Sequence, residues 1–161
     1  MKTEKNKIEI AMFGGGCFWG VEEAFRILPG VINTEVGYAG GDKNKGTYGE
    51  VCEGDTGHAE VVRIEFNPEK IKYSKLVEVF FSVHDPTQMN RQGPDVGYQY
   101  RSVIFYFDDK QKKTAQEVLK KEQKKQIKAI TTVTEKVSTY IKAEDYHQKY
   151  LLKRGQTSCH I

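Results

Sequence analysis

The sequence predicts an α+β domain in which helices pack on a mixed, largely antiparallel sheet. Three observations carry that prediction. Alternating apolar and polar residues mark strands at about 8–12, 32–38, 60–66 and 131–137, while apolar stripes at helical spacing fall at about 18–28, 76–83 and 115–119. The two kinds of element mix without strict alternation. With 161 residues, the chain is expected to be one domain, 1–161, ending in a short mobile tail from about 155.

Taken in order, Ile8, Ile10 and Met12 alternate with Lys7, Glu9 and Ala11 as a half-buried strand. The stretch Gly14-Gly15-Gly16-Cys17-Phe18-Trp19-Gly20 then passes the chain into a helix carrying Phe18, Val21, Phe25 and Leu28, stopped by Pro29-Gly30. A second strand puts Ile32, Thr34, Val36 and Tyr38 on one face and ends at Gly40-Gly41. The polar, glycine-punctuated residues 43–57 are expected to be an irregular loop. From His58 to Phe66, the residues Glu60, Val62, Ile64 and Phe66 share one face of a strand. Asn67-Pro68 breaks it.

Ser74 is expected to cap a helix with the stripe Leu76, Val79, Phe80 and Val83, which ends at His84-Asp85-Pro86. The long polar loop Thr87–Gln99, punctuated by Gly93-Pro94 and Gly97, has the character of a functional loop. Arg101–Phe107 is apolar on both faces and reads as a central strand. Asp108-Asp109 opens a lysine-rich helix reaching about Lys128, with Ala115, Val118 and Leu119 inside. A strand at Thr131–Val137 and a helix at Ala143–Lys153, ended by Gly155, complete the pattern.

Composition narrows the function. The formal charge is +3, from lysines concentrated on one helix face, and this argues against nucleic acid as a partner. No apolar run approaches the ~20 residues of a membrane span, and no hydrophobic segment follows Met1–Lys7 to serve as an export signal, so a cytoplasmic location is expected. Three cysteines, Cys17, Cys52 and Cys159, are then expected as thiols whose disulfides are transient. There is no C-x-x-C and no ligand pair at zinc spacing, so no metal is expected. The glycine-rich turn fits neither nucleotide motif: the sixth position from Gly14 is Trp19, and Val21-Glu22 stand where a phosphate loop needs Lys-Ser/Thr.

Cys17 at a helix start is placed to favour a thiolate, because the unpaired N–H groups of the first turn stabilise an anion. That end is worth roughly 0.3–2 kcal/mol against about 1.4 kcal/mol per pKa unit, so a thiol starting near ~8.5 stays mostly protonated at neutral pH. A second influence is needed. Glu60 supplies a candidate, since a carboxyl in register with Val62, Ile64 and Phe66 loses water, is disfavoured as a charge and becomes fit for general-acid work.

These blocks carry a resemblance. Gly16-Cys17-Phe18-Trp19-Gly20, Gly37-Tyr38-Ala39-Gly40-Gly41, Thr47-Tyr48 to Cys52, Gly54–Val62 with its Gly57-His58-Ala59-Glu60, His84-Asp85-Pro86-Thr87 and Gln92-Gly93 to Gln99-Tyr100-Arg101-Ser102 resemble the peptide methionine sulfoxide reductase A family, in that family's order from about Ile8 to Leu151. The resemblance implies a two-layer α/β sandwich around a mixed sheet, no metal or organic cofactor, and thiol-dependent reduction of methionine S-sulfoxide, free or in oxidised proteins. It places the nucleophile on Cys17, the acid on Glu60, site tyrosines on Tyr48 and Tyr100, a supporting aspartate on Asp95 and substrate-binding aromatics on Phe18 and Trp19. Pro94 and Tyr98 depart from the family's more usual Asn and Thr.

Proton donation to the sulfoxide oxygen would supply the activation that the helix end alone does not. The resulting Cys17 sulfenic acid would be trapped by a second thiol and recycled by thioredoxin or another dithiol. Cys52 is expected as a small core residue and Cys159, in the tail, as the resolving thiol. The chain is expected to act as a monomer. Two other classes fit part of the pattern: acyl transfer from Cys17 with His58, His84 or His147 as base, and a redox-sensing or peptide-binding domain without turnover.

Overall fold

The computed structural model describes residues 7–42, 44–52 and 56–155. The expected tail therefore lies, beyond Gly155 and with Cys159 in it, outside the described residues. Strand β1 (Glu9–Gly14) leads through Gly15 and Gly16 into helix α1 (Phe18–Arg26), followed by β2 (Val31–Ala39), a short helix α2 (Tyr48–Cys52), β3 (Ala59–Phe66) and α3 (Tyr73–Ser82). A small hairpin, β4 (Arg91–Gln92) and β5 (Asp95–Val96), precedes a 3₁₀ turn at Tyr98–Tyr100 and strand β6 (Val103–Tyr106). Helix α4 (Asp109–Gln123), strands β7 (Val133–Lys136) and β8 (Tyr140–Lys142), a 3₁₀ turn at Asp145–His147 and α5 (Tyr150–Lys153) follow.

The main sheet runs β7-β6-β1-β3-β2-β8, antiparallel throughout except for the parallel pair β6–β7. The α+β class with a mixed, largely antiparallel sheet is therefore what the chain adopts. β6 lies inside the sheet, as its two apolar faces imply. On one side, Ala11, Phe13, Val36, Tyr38, Val62, Ile64, Phe66 and Ile104 meet α1, α3 and α4 through Phe18, Val21, Phe25, Leu76, Phe80, Ala115 and Val118. On the other side Met12, Ala39, Ala59, Val61, Val103 and Phe105 form a smaller cluster against Phe107, Val137 and Tyr140.

Several local expectations are corrected. β1 is central, so its helix-facing residues are Ala11 and Phe13 and not the Ile8–Ile10–Met12 parity; Ile8 is exposed. The stretch 43–57 contains α2, which sequence punctuation concealed. Ser74 is not a cap: α3 starts at Tyr73 with Lys72 before it. The loop 87–99 folds into the β4–β5 hairpin and a 3₁₀ turn, and α4 stops at Gln123. The helix expected at Ala143–Lys153 is broken because Lys149 takes a left-handed φ of 53°. Its N–H and Nζ instead reach the buried carboxylate of Glu22 at 2.8 and 3.5 Å, which ties α1 to the C-terminal segment. By contrast, Asp108 caps α4 as its sequence indicates, accepting from the Gln111 N–H at 2.8 Å.

Candidate active site

The glycines before Cys17 have separate steric tasks. At Gly14 a Cβ would lie 2.8 Å from the backbone oxygen of Glu60, so glycine lets β1 approach the strand that carries the candidate acid. Gly16 turns the chain at φ 92°, and a Cβ there would also meet the Gln92 side chain at 2.8–2.9 Å. Cys17 then stands as the N-cap of α1, in an extended conformation, with no acidic residue in the helix's first turn. The thiol thus sits at the positive end of a nine-residue helix, as the sequence predicts.

Glu60 is 2 % exposed. Its Oε1 accepts the backbone N–H of Phe18 and its Oε2 the Nε2 of Gln99, each at 3.2 Å. The same Gln99 nitrogen lies 3.6 Å from the Cys52 sulfur. Cys52 is exposed, which corrects its expected place in the core: it closes α2 with its thiol turned to this cluster. Tyr48, one helical turn earlier, is pushed up by burial, by a hydrogen bond to Cys52 and by the negative potential of Cys52 and Glu60. Tyr100 is pushed up by burial and then by Glu60, Asp95, Cys52 and Cys17. Those electrostatic partners bring both phenols, Asp95, Glu60 and the two sulfurs into one neighbourhood. Asp95 reaches it from β5, in register with Gln92.

The two expected substrate-binding aromatics differ. Trp19 is half-buried, lies flat on Tyr150 with ring centroids 3.7 Å and planes 6° apart, and donates its Nε1–H to His147 Nδ1 at 3.0 Å. Phe18 is only 1 % exposed, with its ring behind the site against Tyr38 and His147; its backbone N–H is what faces Glu60.

The three histidines considered as bases are all engaged elsewhere. His58 joins Gly41 N–H at 3.1 Å and Asp42 carbonyl at 2.8 Å, locking the end of β2 to the start of β3. His84 is paired to the Phe80 carbonyl and the Ser102 hydroxyl, both at 2.7 Å, and burial lowers it to about 4. His147 serves Trp19. Sequence reading missed Gln99, Glu144 and the placement of His147. Gln99 follows Asp95 by four residues in the same loop, but no periodicity assigns a polar residue to a buried carboxylate. Glu144 accepts from the Tyr38 hydroxyl and from the Tyr48 N–H, each at 2.9 Å, and so anchors α2.

A helix-start thiol, a buried carboxyl bonded to the same turn and neutral phenols nearby define a thiol-based oxidoreductase. The peptide methionine sulfoxide reductase family model matches residues 9–161, and the chain belongs to that family. Over 158 residues it is 51 % identical to the peptide methionine sulfoxide reductase MsrA of Methanothermobacter thermautotrophicus, covering 97 % of this chain and 94 % of the relative. Among solved structures, reduced Mxr1 from Saccharomyces cerevisiae is similar with a TM-score of 0.90 and 38 % identity, covering 94 % of this chain and 88 % of that one. Mxr1 in complex with Trx2 is similar with a TM-score of 0.65 and 26 % identity, covering 93 % and 89 %. The chain is therefore an enzyme that reduces methionine sulfoxide at the expense of thiols. Among the described residues no helix is long and apolar enough to cross a membrane.

Proposed function

We propose that Cys17 is the nucleophile for methionine S-sulfoxide, with Glu60 as proton donor, Tyr48 and Tyr100 as donors to the sulfoxide oxygen, Asp95 supporting Tyr100, and Trp19 enclosing the methyl group while the buried Phe18 ring packs behind the site. The observation that carries this reading is the double anchoring of buried Glu60, to the N–H of the residue after Cys17 and to Gln99. Burial opposes the charged form of Glu60, against the two hydrogen bonds donated to its oxygens, and the bond to the first turn of α1 keeps it beside the thiol.

A sulfoxide offers a strongly accepting oxygen and a small apolar methyl. As Glu60 and the phenols load the oxygen with hydrogen bonds, the sulfur becomes electrophilic and the Cys17 sulfur attacks it. The sulfoxide oxygen ends on Cys17: thiol plus sulfoxide gives sulfenic acid plus methionine thioether. A second thiol then condenses with the sulfenic acid, releasing water and forming a disulfide. That thiol is Cys159 or an external one, and a dithiol of the thioredoxin type restores both sulfurs by exchange. The complex of the related Mxr1 with Trx2 supports this route. Free and protein-bound methionine sulfoxide are the substrates, with the protein working as a cytoplasmic monomer.

The test is to incubate the protein with a methionine sulfoxide peptide and dithiothreitol. Methionine should appear with the native chain and not with Cys17→Ser. More than a few per cent of activity in that variant would overturn the assignment of the nucleophile.

A further inference from the structure

The two glycines that lead into Cys17 rest on the segment joining α3 to the β4–β5 hairpin. A Cβ on Gly15 would lie 2.9 Å from His84 Cδ2 and 3.0 Å from the Phe80 ring, and one on Gly16 would lie 2.9 and 2.8 Å from Gln92 Cβ and Cγ. The methylenes of Gln92 thus take up the space beside Gly16 that a side chain there would need. The amide at the end of the same side chain is held at both its oxygen and its nitrogen. Its Oε1 accepts the Asp85 backbone N–H at 2.7 Å, and its Nε2 donates to the Asp85 carbonyl at 2.8 Å. An amide can meet one N–H and one C=O of the same residue in only one orientation, so the direction of the Gln92 head is settled.

Two bonds on a half-buried side chain do little for stability, since their net gain is largely offset by the rotamer freedom that a fixed glutamine loses. What they fix is position. Asp85 is itself held in its turn by Thr87, whose N–H and hydroxyl donate to Asp85 Oδ1 at 3.0 and 2.6 Å. On the hairpin, Gln92 stands opposite Asp95. From there the Gly97 N–H donates to the Asn90 carbonyl at 2.9 Å and the Tyr100 N–H to the Gly97 carbonyl at 3.0 Å. Gln92 is therefore a direct contact between the turn that delivers Cys17 and the hairpin that delivers Asp95 and leads to Tyr100. Cys17 is held through both of its chain neighbours: Gly16 by the Gln92 methylenes, and Phe18 by its N–H bond to Glu60.

We propose that Gln92 is a positioning residue of the reductase site: its amide, clamped on both backbone groups of Asp85, presses its methylenes on Gly16 and so sets where the Cys17 sulfur stands relative to Tyr100 and Asp95. This rests on the reading above, in which Cys17 attacks and Tyr100 holds the sulfoxide oxygen. Gln92 acts through Gly16 and the hairpin and takes no part in the chemistry. Because a misplacement of about 1 Å can cost up to about a hundredfold in rate, loosening this clamp should be visible in the chemical step while the thiol itself stays reactive.

The experiment measures single-turnover reduction of a methionine sulfoxide peptide, as rate constant and amplitude, beside alkylation of Cys17 by iodoacetamide followed by peptide mass. Gln92→Met keeps the methylenes and nearly the same length but makes neither bond to Asp85. Its rate constant should fall at least about tenfold, with full amplitude and with Cys17 alkylation within about threefold of native. Gln92→Glu, which turns a carboxylate oxygen toward the Asp85 carbonyl, should behave alike. A role in folding alone would lower the amplitude and spare the rate constant, so a native rate constant in either variant overturns the proposal. A double-mutant cycle tests the contact with Gly16. Gly16→Ala should cost at least about threefold less in a Gln92→Ala background than in the native chain, because the space is then vacant and the strain of alanine at a φ of 92° cancels between backgrounds. Effects that simply multiply overturn the contact. If the variants do not fold, the isotope-labelled native protein decides: coupling across the hydrogen bond between the Asp85 amide nitrogen and Gln92 Cδ supports the clamp, and its absence overturns it. A native protein with that coupling whose Cys17→Ser variant still reduces the peptide would instead overturn the functional reading on which the proposal rests.

Discussion

The backbone N–H of Phe18 donates to Oε1 of Glu60 at 3.2 Å, across 42 residues of sequence. One hydrogen bond therefore joins the helix that presents the nucleophile to the strand that presents the acid. It also shapes the first turn of α1, which gives one of its otherwise unpaired N–H groups to Glu60 directly after the N-cap Cys17.

Replacing Glu60 should be the most damaging change after Cys17. General acid catalysis is typically worth about 10² to 10⁴-fold, so Glu60→Ala should lose at least a hundredfold in the single-turnover rate of methionine formation. Glu60→Gln, which still offers a hydrogen to the sulfoxide oxygen, should lose less. Gln99→Leu leaves Oε2 without its amide donor and should cost about tenfold, the value of one buried hydrogen bond to a charged or ionisable group. Equal rates for Glu60→Ala and the native chain at every pH would remove Glu60 from the mechanism.

The position of Glu60 was legible in the sequence because strand register is a period-two property: a carboxylate in phase with Val62, Ile64 and Phe66 must face the core. Cys17 at the helix start was legible for a similar reason, since a glycine run separates an alternating segment from a helical one. What escaped was set by contacts distant in sequence. Nothing local marks Gln99 as the partner of Glu60, and α2 hides among turn residues because its Tyr48 N–H is anchored by Glu144, 96 residues on. The broken C-terminal helix had the same cause: Lys149 leaves helical geometry to reach Glu22, and no helical propensity scale anticipates that.

The tyrosines should remain neutral hydrogen-bond donors across the working pH range. Burial and then the surrounding negative groups raise both Tyr48 and Tyr100 above the ordinary phenol value of 10.0. Raising the pKa keeps the O–H present as pH increases, so loss of activity on the alkaline side should not follow tyrosine ionisation. Absorbance titration near the phenolate band, compared between the native chain and a Tyr48→Phe, Tyr100→Phe double variant, should show no difference up to about pH 10. A two-tyrosine difference at or below that pH would contradict the buried, donor role. Each single Phe variant should lower kcat/KM by about tenfold, as expected for one lost hydrogen bond to the developing oxygen charge.

His84 makes a stability prediction independent of catalysis. Burial lowers it from 6.5 to about 4, although the Phe80 carbonyl and Asp85 pull the other way. With the folded pKa depressed, the unfolded chain takes up the proton first as pH falls through 6.5. Stability should therefore decline between 6.5 and about 4 and stop declining from this source below that. The window corresponds to roughly 3 kcal/mol at about 1.4 kcal/mol per unit. Urea unfolding of the native chain and of His84→Gln should show this portion of the pH dependence in the first and its near absence in the second. Parallel curves would assign the acid sensitivity to carboxylates instead.

Which thiol clears the Cys17 sulfenic acid divides Cys159, expected from the sequence, from Cys52, which the structure finds exposed beside Gln99 and Tyr48. Disulfide formation requires Cα atoms about 4.4–6.8 Å apart, and Cys52 closes a helix whose first residue is anchored through Glu144, so any movement of Cys52 toward Cys17 works against that anchor. Cys159 lies outside the described residues, and the sequence expectation assigns it the resolving role. The expected outcome, after one equivalent of methionine sulfoxide and blocking of the remaining thiols, is a Cys17–Cys159 linked peptide with Cys52 alkylated. Cys159→Ser should then keep its rate with dithiothreitol, which reduces the sulfenic acid directly, and lose it with thioredoxin, which needs the disulfide. Recovering Cys159 fully alkylated from oxidised protein would sink the tail mechanism. If Cys52 is the missing thiol in that digest, Glu144→Gln, by loosening the anchor of α2, should speed disulfide formation; if neither is missing, an external thiol attacks Cys17 alone, and Cys159→Ser and Cys52→Ser should both recycle at the native rate.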